Sequence, residues 1–153
     1  MIFADADLSN AVNGVMAGVF AATGQTCMAG SRVIVHESVH DELVRLVAER
    51  ANAIKLGDPN DPETEMGPIA NQPQFEKVVG YLEKAKAEGA TAACGGEAAA
   101  DLGGFFVRPT LFTGVKLDDT VVREEVFGPV TAALTFRTEE EACLLYTSPS
   151  PRD

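Results

Sequence analysis

Gly24-Gln25-Thr26-Cys27-Met28-Ala29-Gly30-Ser31-Arg32 runs directly into Val33-Ile34-Val35-His36. The first part is a loop of small and turn-forming residues. The second is β-branched and apolar, and with Arg32 it reads as a buried strand over Arg32 to His36. Upstream, Leu8, Ala11, Val12, Val15, Met16, Val19 and Phe20 recur at three- and four-residue spacing, the mark of one helix face. Asp7 is placed to cap that helix and Gly24 to end it. Downstream, Ser38-Val39-His40-Asp41 fits a variant capping box opening a second helix. That helix would bury Val39, Leu43, Leu46, Val47 and Ile54 and stop near Gly57. Helix, loop, buried strand and helix in succession make a unit of an α/β domain.

The rest of the chain continues the alternation. Asp58-Pro59-Asn60-Asp61-Pro62 is a turn-rich loop. Pro73 starts a third helix with Phe75, Val78, Val79, Leu82 and Ala85 on one face and Gly89 at its end. Thr91-Ala92-Ala93-Cys94 is a short strand. Phe106 to Thr113 contains a strand interrupted by Pro109, and Val130 to Phe136 is another, after the Gly128-Pro129 turn. Ile2-Phe3 reads as the end of one more strand. The expected fold is α/β: a helix-covered, mainly parallel open sheet.

Composition narrows the function. The 153 residues carry 12 basic and 23 acidic side chains, a formal charge of −11. An acidic chain without basic clusters disfavours nucleic acid and anionic membrane surfaces as partners. No apolar run approaches the ~20 residues of a membrane span. The acidic start Met1-Ile2-Phe3-Ala4-Asp5-Ala6-Asp7 lacks a basic region and is not expected to act as a secretory signal. Cysteines at 27, 94 and 143 have no CxxC spacing, which points to a reducing, cytoplasmic setting and away from disulfides or zinc. His36 and His40 are too few and too close for most metal cages, so no metal site is expected. The Gly95-Gly96 and Gly103-Gly104 pairs lack phosphate-loop spacing.

Cys27 is the residue with chemical promise. Its neighbours Thr26, Ala29, Gly30 and Ser31 are too small to crowd a ligand, and Gly24 and Gly30 allow backbone N–H groups to be aimed at a reacting oxygen. On spacing alone a buried structural cysteine is the commoner reading. Four strings change that balance: Phe3-Ala4-Asp5-Ala6-Asp7-Leu8, the nonapeptide Gly24 to Arg32, the pair Gly57-Asp58-Pro59 and Met66-Gly67-Pro68, and Arg123-Glu124-Glu125-Val126-Phe127-Gly128-Pro129-Val130. In this order and at these intervals they resemble the aldehyde dehydrogenase superfamily, over nearly all of Met1 to Ala142.

The resemblance implies the following. Cys27 is the nucleophile that adds to an aldehyde, with its own backbone N–H as one oxyanion donor. Glu125 accepts hydrogen bonds from the nicotinamide ribose, and Phe127 lies against the nicotinamide. The cofactor is NAD or NADP, the substrate a small-molecule aldehyde, and the parent protein a homodimer or homotetramer. Glu124 is left as a surface acid. The family's nucleotide-binding domain, its oxyanion amide and its general-base glutamate match no residue here. Residues 1–142 therefore correspond to part of a nucleophile-bearing catalytic domain, with Met1 an internal methionine, and the isolated chain is expected to be catalytically incompetent. Residues 143–153 resemble a translated sequencing adapter and form a non-native tail.

Two other classes compete. A cysteine hydrolase or acyltransferase would need a histidine base, and only His36 and His40 are available. A non-catalytic fragment that merely keeps the fold should bury Cys27. The dehydrogenase reading requires the Cys27 sulfur and the Glu125–Phe127 loop to converge on one side of the sheet, with room between them.

Overall fold

The computed structural model describes residues 1–146. Four strands form one sheet: β1 (Arg32–His36), β2 (Thr91–Cys94), β3 (Thr110–Thr113) and β4 (Val130–Phe136), in the order β1-β4-β3-β2. β1 pairs with β4 and β3 with β4 in parallel; β2 joins β3 antiparallel, with a register shift between Ala92 and Cys94. The sheet is thus mainly parallel, as expected. Ile2 adds a single parallel bridge to Val35 on the outer side of β1, which is the strand end read at Ile2-Phe3.

Alternation along β4 sorts the core into two layers. Ala133 faces one way with Val33, Val35 and Leu111, against α1 (Leu8–Phe20) and α2 (Glu37–Asn52). Val130, Ala132 and Leu134 face the other way with Phe112, against α3 (Gln72–Ala87) and α4 (Thr120–Arg123). Ile34 and Phe136 continue that second face beneath α5 (Glu139–Tyr146), whose Ala142 is buried. Helices on both faces explain why β4 reads as an uninterrupted apolar run rather than an alternating one. Val35, Phe112 and Ala132 are fully sealed from solvent. A valine or phenylalanine buried so completely contributes roughly 1.5–3 kcal/mol.

The structure adjusts several boundaries. Asp7 caps α1 as expected, its carboxylate accepting from the Asn10 N–H at 3.1 Å. The helix ends at Phe20, however, and a 3₁₀ turn (Ala21–Gly24) with Ala22 and Thr23 at φ 50° and 60° carries the chain onward. The second helix does not open with a box at Ser38: His36 is its cap, the imidazole Nδ1 accepting from the Ser38 N–H at 3.2 Å. β3 starts only after Pro109, which has no N–H to give to a ladder. The preceding Val107 makes an isolated bridge to Ala98 instead. Cys94, at the end of β2, is a buried core residue. In the segment set apart as a tail, Cys143 to Tyr146 continue α5, and residues 147–153 lie outside those described. Among the described residues, no helix is long and apolar enough to cross a membrane.

Candidate active site

The loop between α1 and β1 presents Cys27 at a tight turn. The Ala29 N–H donates to the Thr26 carbonyl at 3.0 Å and the Met28 N–H to Thr26 Oγ1 at 3.2 Å, so Thr26 to Ala29 fold back on themselves. Cys27 is exposed at this turn. Its own N–H has no hydrogen-bond partner among the described residues, which leaves a backbone donor free beside the sulfur. The base of the loop is tied down from both sides. The Gly30 N–H donates to the Gly18 carbonyl at 2.8 Å, and Thr131 Oγ1, from the sealed face of β4, donates to the Gly30 carbonyl at 3.1 Å. The Ala70 N–H donates to Gln25 Oε1 at 3.0 Å.

The second loop, from Glu124 to Pro129, leaves α4 and enters β4. It converges on the first. Glu125 and Phe127 share a small cavity with Gly24, Thr26, Ala29 and Gly30. Glu125 also lines a larger open cleft of ≈ 570 Å³ together with Cys27, Ser31, Arg32 and Arg123. The required geometry is present: the thiol and the acidic loop border one space, beyond the start of β1 and β4. Leu144 and Leu145 of α5 form part of the same wall.

Contact between the loops is close. A Cβ on Gly24, at φ +65°, would lie 2.1 Å from the Gly128 carbonyl oxygen. Only glycine fits there. The non-glycine residues with positive φ among those described are Ala22, Thr23 and Phe127, and all three flank this junction. Each such residue costs of order 1–3 kcal/mol and persists only where its surroundings over-determine it.

Glu124 and Glu125 differ sharply despite adjacency. The Tyr81 hydroxyl donates to Glu124 at 2.8 Å, and that bond raises the phenol above its ordinary pKa. Glu125 is exposed and, among the described residues, makes no hydrogen bond or ion pair. Its two oxygens are therefore free to accept from a ligand's hydroxyls, which suits a ribose. Phe127 is half-buried beside it.

α3 carries the acidic loop. The Gln74 side-chain amide donates to the carbonyls of Val126 and Phe127 at 3.1 and 2.8 Å. Val78 packs under Gly128, and Tyr81 holds Glu124. Just beyond the helix, Glu88 accepts from the Thr120 hydroxyl at 2.6 Å and its N–H at 2.9 Å, capping α4 from outside. None of these polar partners was singled out from the sequence, because each acts on a segment more than 30 residues away. The available signal was that Gln74 and Tyr81 lie one turn either side of buried Val78, at the margin of the apolar stripe.

The Thr120 hydroxyl, then its N–H, holds the Glu88 carboxyl below the ordinary carboxylate range. A depressed pKa in the folded state means the carboxylate stabilises the fold above its unfolded pKa, and that this contribution is lost as pH falls through the folded value. Wild-type protein should therefore lose melting temperature on acidification from about pH 5 to 3 more steeply than Glu88→Gln. Equal slopes in thermal melts across that range would remove Glu88 as a pH-dependent brace.

The histidines are committed elsewhere. His36 sits at the opposite end of β1 from the Cys27 loop, where its Nδ1 faces Ser38 Oγ at 2.8 Å and its ring packs edge-on to Phe136. A five-residue strand spans about 13 Å, so His36 cannot serve Cys27 as a base. His40 pairs with Asp41. Cys27 is also not the buried residue a non-catalytic fragment would require. Among the described residues no group of three or more potential ligands is placed to hold a metal ion.

Comparison with known proteins gives a consistent picture. The sequence matches the aldehyde dehydrogenase family over residues 1–146. A betaine aldehyde dehydrogenase of Cereibacter sphaeroides is 50% identical over 142 residues, covering 93% of this chain and 29% of that protein. Its counterpart from Brucella anthropi is 47% identical over 144 residues, covering 92% and 30%. Among solved structures, the NAD+ complex of an aldehyde dehydrogenase from Bacillus cereus superposes with a TM-score of 0.90 at 46% identity, over 94% of this chain and 29% of that one. Betaine aldehyde dehydrogenase from Staphylococcus aureus in complex with NAD+ gives 0.91 at 42% identity, over the same shares. The chain spans about 29–30% of the length of these curated relatives.

Proposed function

The chain belongs to the aldehyde dehydrogenase family, and from that premise we propose that the complete enzyme oxidises an aldehyde to a carboxylic acid with NAD+, using Cys27 as nucleophile. The observation that carries this reading is the shared cleft: an exposed thiol and an uncommitted carboxylate, Glu125, on its two walls.

An aldehyde has no leaving group except hydride. The Cys27 thiolate forms an S–C bond to the carbonyl carbon while the π electrons move to oxygen, giving a thiohemiacetal oxyanion. The free Cys27 N–H would stabilise that charge. When the oxygen electrons return to remake C=O, the C–H bond breaks and hydrogen departs with both electrons. NAD+, when bound, supplies the acceptor for that hydride. The thioester left on Cys27 is then cleaved by water: a C–O bond forms, the C–S bond breaks, and acid and thiol are released. Sulfur suits both halves, being nucleophilic near neutral pH and an adequate leaving group later. Glu125 would hold the ribose hydroxyls, and Phe127 would limit swing of the attached ring. NAD+ rather than NADP+ is proposed because the similar enzymes from Bacillus cereus and Staphylococcus aureus were solved as complexes with NAD+. Betaine aldehyde, named in the curated relatives, is the first substrate to assay.

Iodoacetamide tests the assignment. In the complete enzyme, loss of NAD+ reduction should track carboxamidomethylation of Cys27, mapped by peptide mass spectrometry. In the 153-residue chain Cys27 should label while Cys94 stays unmodified until unfolding, because burial seals that thiol and pushes its pKa up. Full alkylation of Cys27 with activity intact would refute the proposal.

A further inference from the structure

We infer that Gln74 is a positioning residue for the cofactor-facing loop, an assignment that rests on the reading of Glu125 and Phe127 above. Phe127 is held at φ 56°, a conformation unfavourable for an aromatic residue. Two carbonyls bracket that strained position, those of Val126 and Phe127 itself. Both are taken by the one Gln74 side-chain nitrogen, at 3.1 and 2.8 Å. A primary amide has two N–H groups, so it can satisfy both acceptors at once. Glutamate has the same shape and no donor, methionine the same reach and no donor, and asparagine is one methylene short.

The donor is itself fixed. Gln74 lies in the first turn of α3, capped by Asn71, whose Oδ1 accepts from the Gln74 N–H at 3.0 Å. One turn on, Val78 is fully buried against Gly128. The bond therefore runs from a rigid helix to the one strained residue of the loop. It sets the direction in which the chain leaves Val126, and with it where Phe127 and the adjoining Glu125 face. Gln74 does not touch the cleft in this arrangement. Its role is indirect, and its removal should weaken cofactor orientation before it weakens the thiol.

The test uses Gln74→Met and Gln74→Asn. In the complete enzyme, Gln74→Met should raise KM for NAD+ by about 10-fold, the effect expected when a part-buried pair of hydrogen bonds is lost. The rate of Cys27 alkylation by iodoacetamide should stay within about twofold. Gln74→Asn, keeping an amide that can reach one carbonyl, should recover part of the KM. In the 153-residue chain, hydrogen exchange of peptides covering residues 124–130 should accelerate in Gln74→Met while β1 and β4 keep their protection. Unchanged KM with unchanged exchange overturns the inference. So does a melting-temperature loss in which KM rises, the Cys27 alkylation rate changes by more than about twofold and exchange protection falls in β1 and β4 as much as in residues 124–130, since that is the signature of a merely structural glutamine. A Cys27→Ala enzyme that still turns over would instead defeat the underlying reading, whatever Gln74 does.

Discussion

Cys27→Ala should lower NAD+-dependent aldehyde oxidation by the complete enzyme at least about 10⁴-fold, the scale on which removing a covalent nucleophile acts. The reason is that nothing in the cleft can replace the sulfur. Ser31 lines the same space, but a hydroxyl is far less ionised than a thiol near neutral pH. Neither histidine is placed to activate it. Cys27→Ser should accordingly remain below about a hundredth of wild-type rate. Stability should barely move, because Cys27 is exposed on a turn held by backbone and Thr26 contacts, and surface substitutions usually stay within about 0.5 kcal/mol. NAD+ affinity, read by fluorescence titration, should stay within about threefold, since the proposed ribose contact belongs to Glu125 and not to Cys27. NADH formation above a tenth of the wild-type rate would sink the nucleophile assignment.

Much of this architecture was legible because the strands are short, apolar and flanked by glycine or proline. β1, β2 and β4 fall where Arg32–His36, Thr91–Cys94 and Val130–Phe136 were read. Their order was not legible. No local pattern tells β4 to insert between β1 and β3, since that depends on which helix faces complement which sheet face. The end of α1 was misplaced for a related reason. Gly24 looks like a helix stop, but the stop is imposed four residues earlier, where Ala22 and Thr23 adopt left-handed backbone that neither residue type favours. Tertiary contacts enforce it: Thr23 is buried and its hydroxyl reaches the Gly67 carbonyl at 3.4 Å. The α2 cap was displaced to His36 because an imidazole nitrogen can accept as a serine oxygen does, an option the capping-box pattern omits.

The site divides in the same way. Cys27, Glu125 and Phe127 were singled out by the resemblance of their strings to a known family, since on spacing alone a structural cysteine was the commoner reading. Their supports did not. Gln74, Tyr81 and Glu88 lie in or next to an ordinary amphipathic helix, and their significance comes only from what the fold brings opposite them. A sequence displays the groups that react more readily than the groups that aim them.

Gly24→Ala should be among the most damaging single-methyl changes in the chain, costing roughly 3 kcal/mol and about 10 °C in melting temperature. Two penalties combine. The backbone at φ +65° is one an L side chain adopts only under strain. The new Cβ would also stand 2.1 Å from the Gly128 carbonyl oxygen, 2.5 Å from its carbon and 2.9 Å from the Pro129 nitrogen, all backbone atoms. Backbone there cannot yield locally, because Thr110 takes the Pro129 carbonyl at 2.8 Å and the ladder of β3 and β4 begins at that point. Gly128→Ala makes the informative contrast. Its Cβ would have its three nearest neighbours in the Val78 side chain, the first at 2.7 Å, rather than in backbone, so it should cost less, about 1–2 kcal/mol. Gly14→Ala, in the middle of α1 with nothing within 4 Å, should be neutral or stabilising by about 0.5–1 kcal/mol. Thermal melts of the three variants would test this ranking. The physical content is that the Cys27 loop and the Glu125 loop meet backbone to backbone at Gly24 and Gly128, with no side chain at that point to absorb a change. Any methyl placed in that seam must push the two walls of the cleft apart. Gly24→Ala should therefore reduce turnover even where the protein stays folded, and a Gly24→Ala enzyme as stable and as active as Gly14→Ala would show that the seam is not tight.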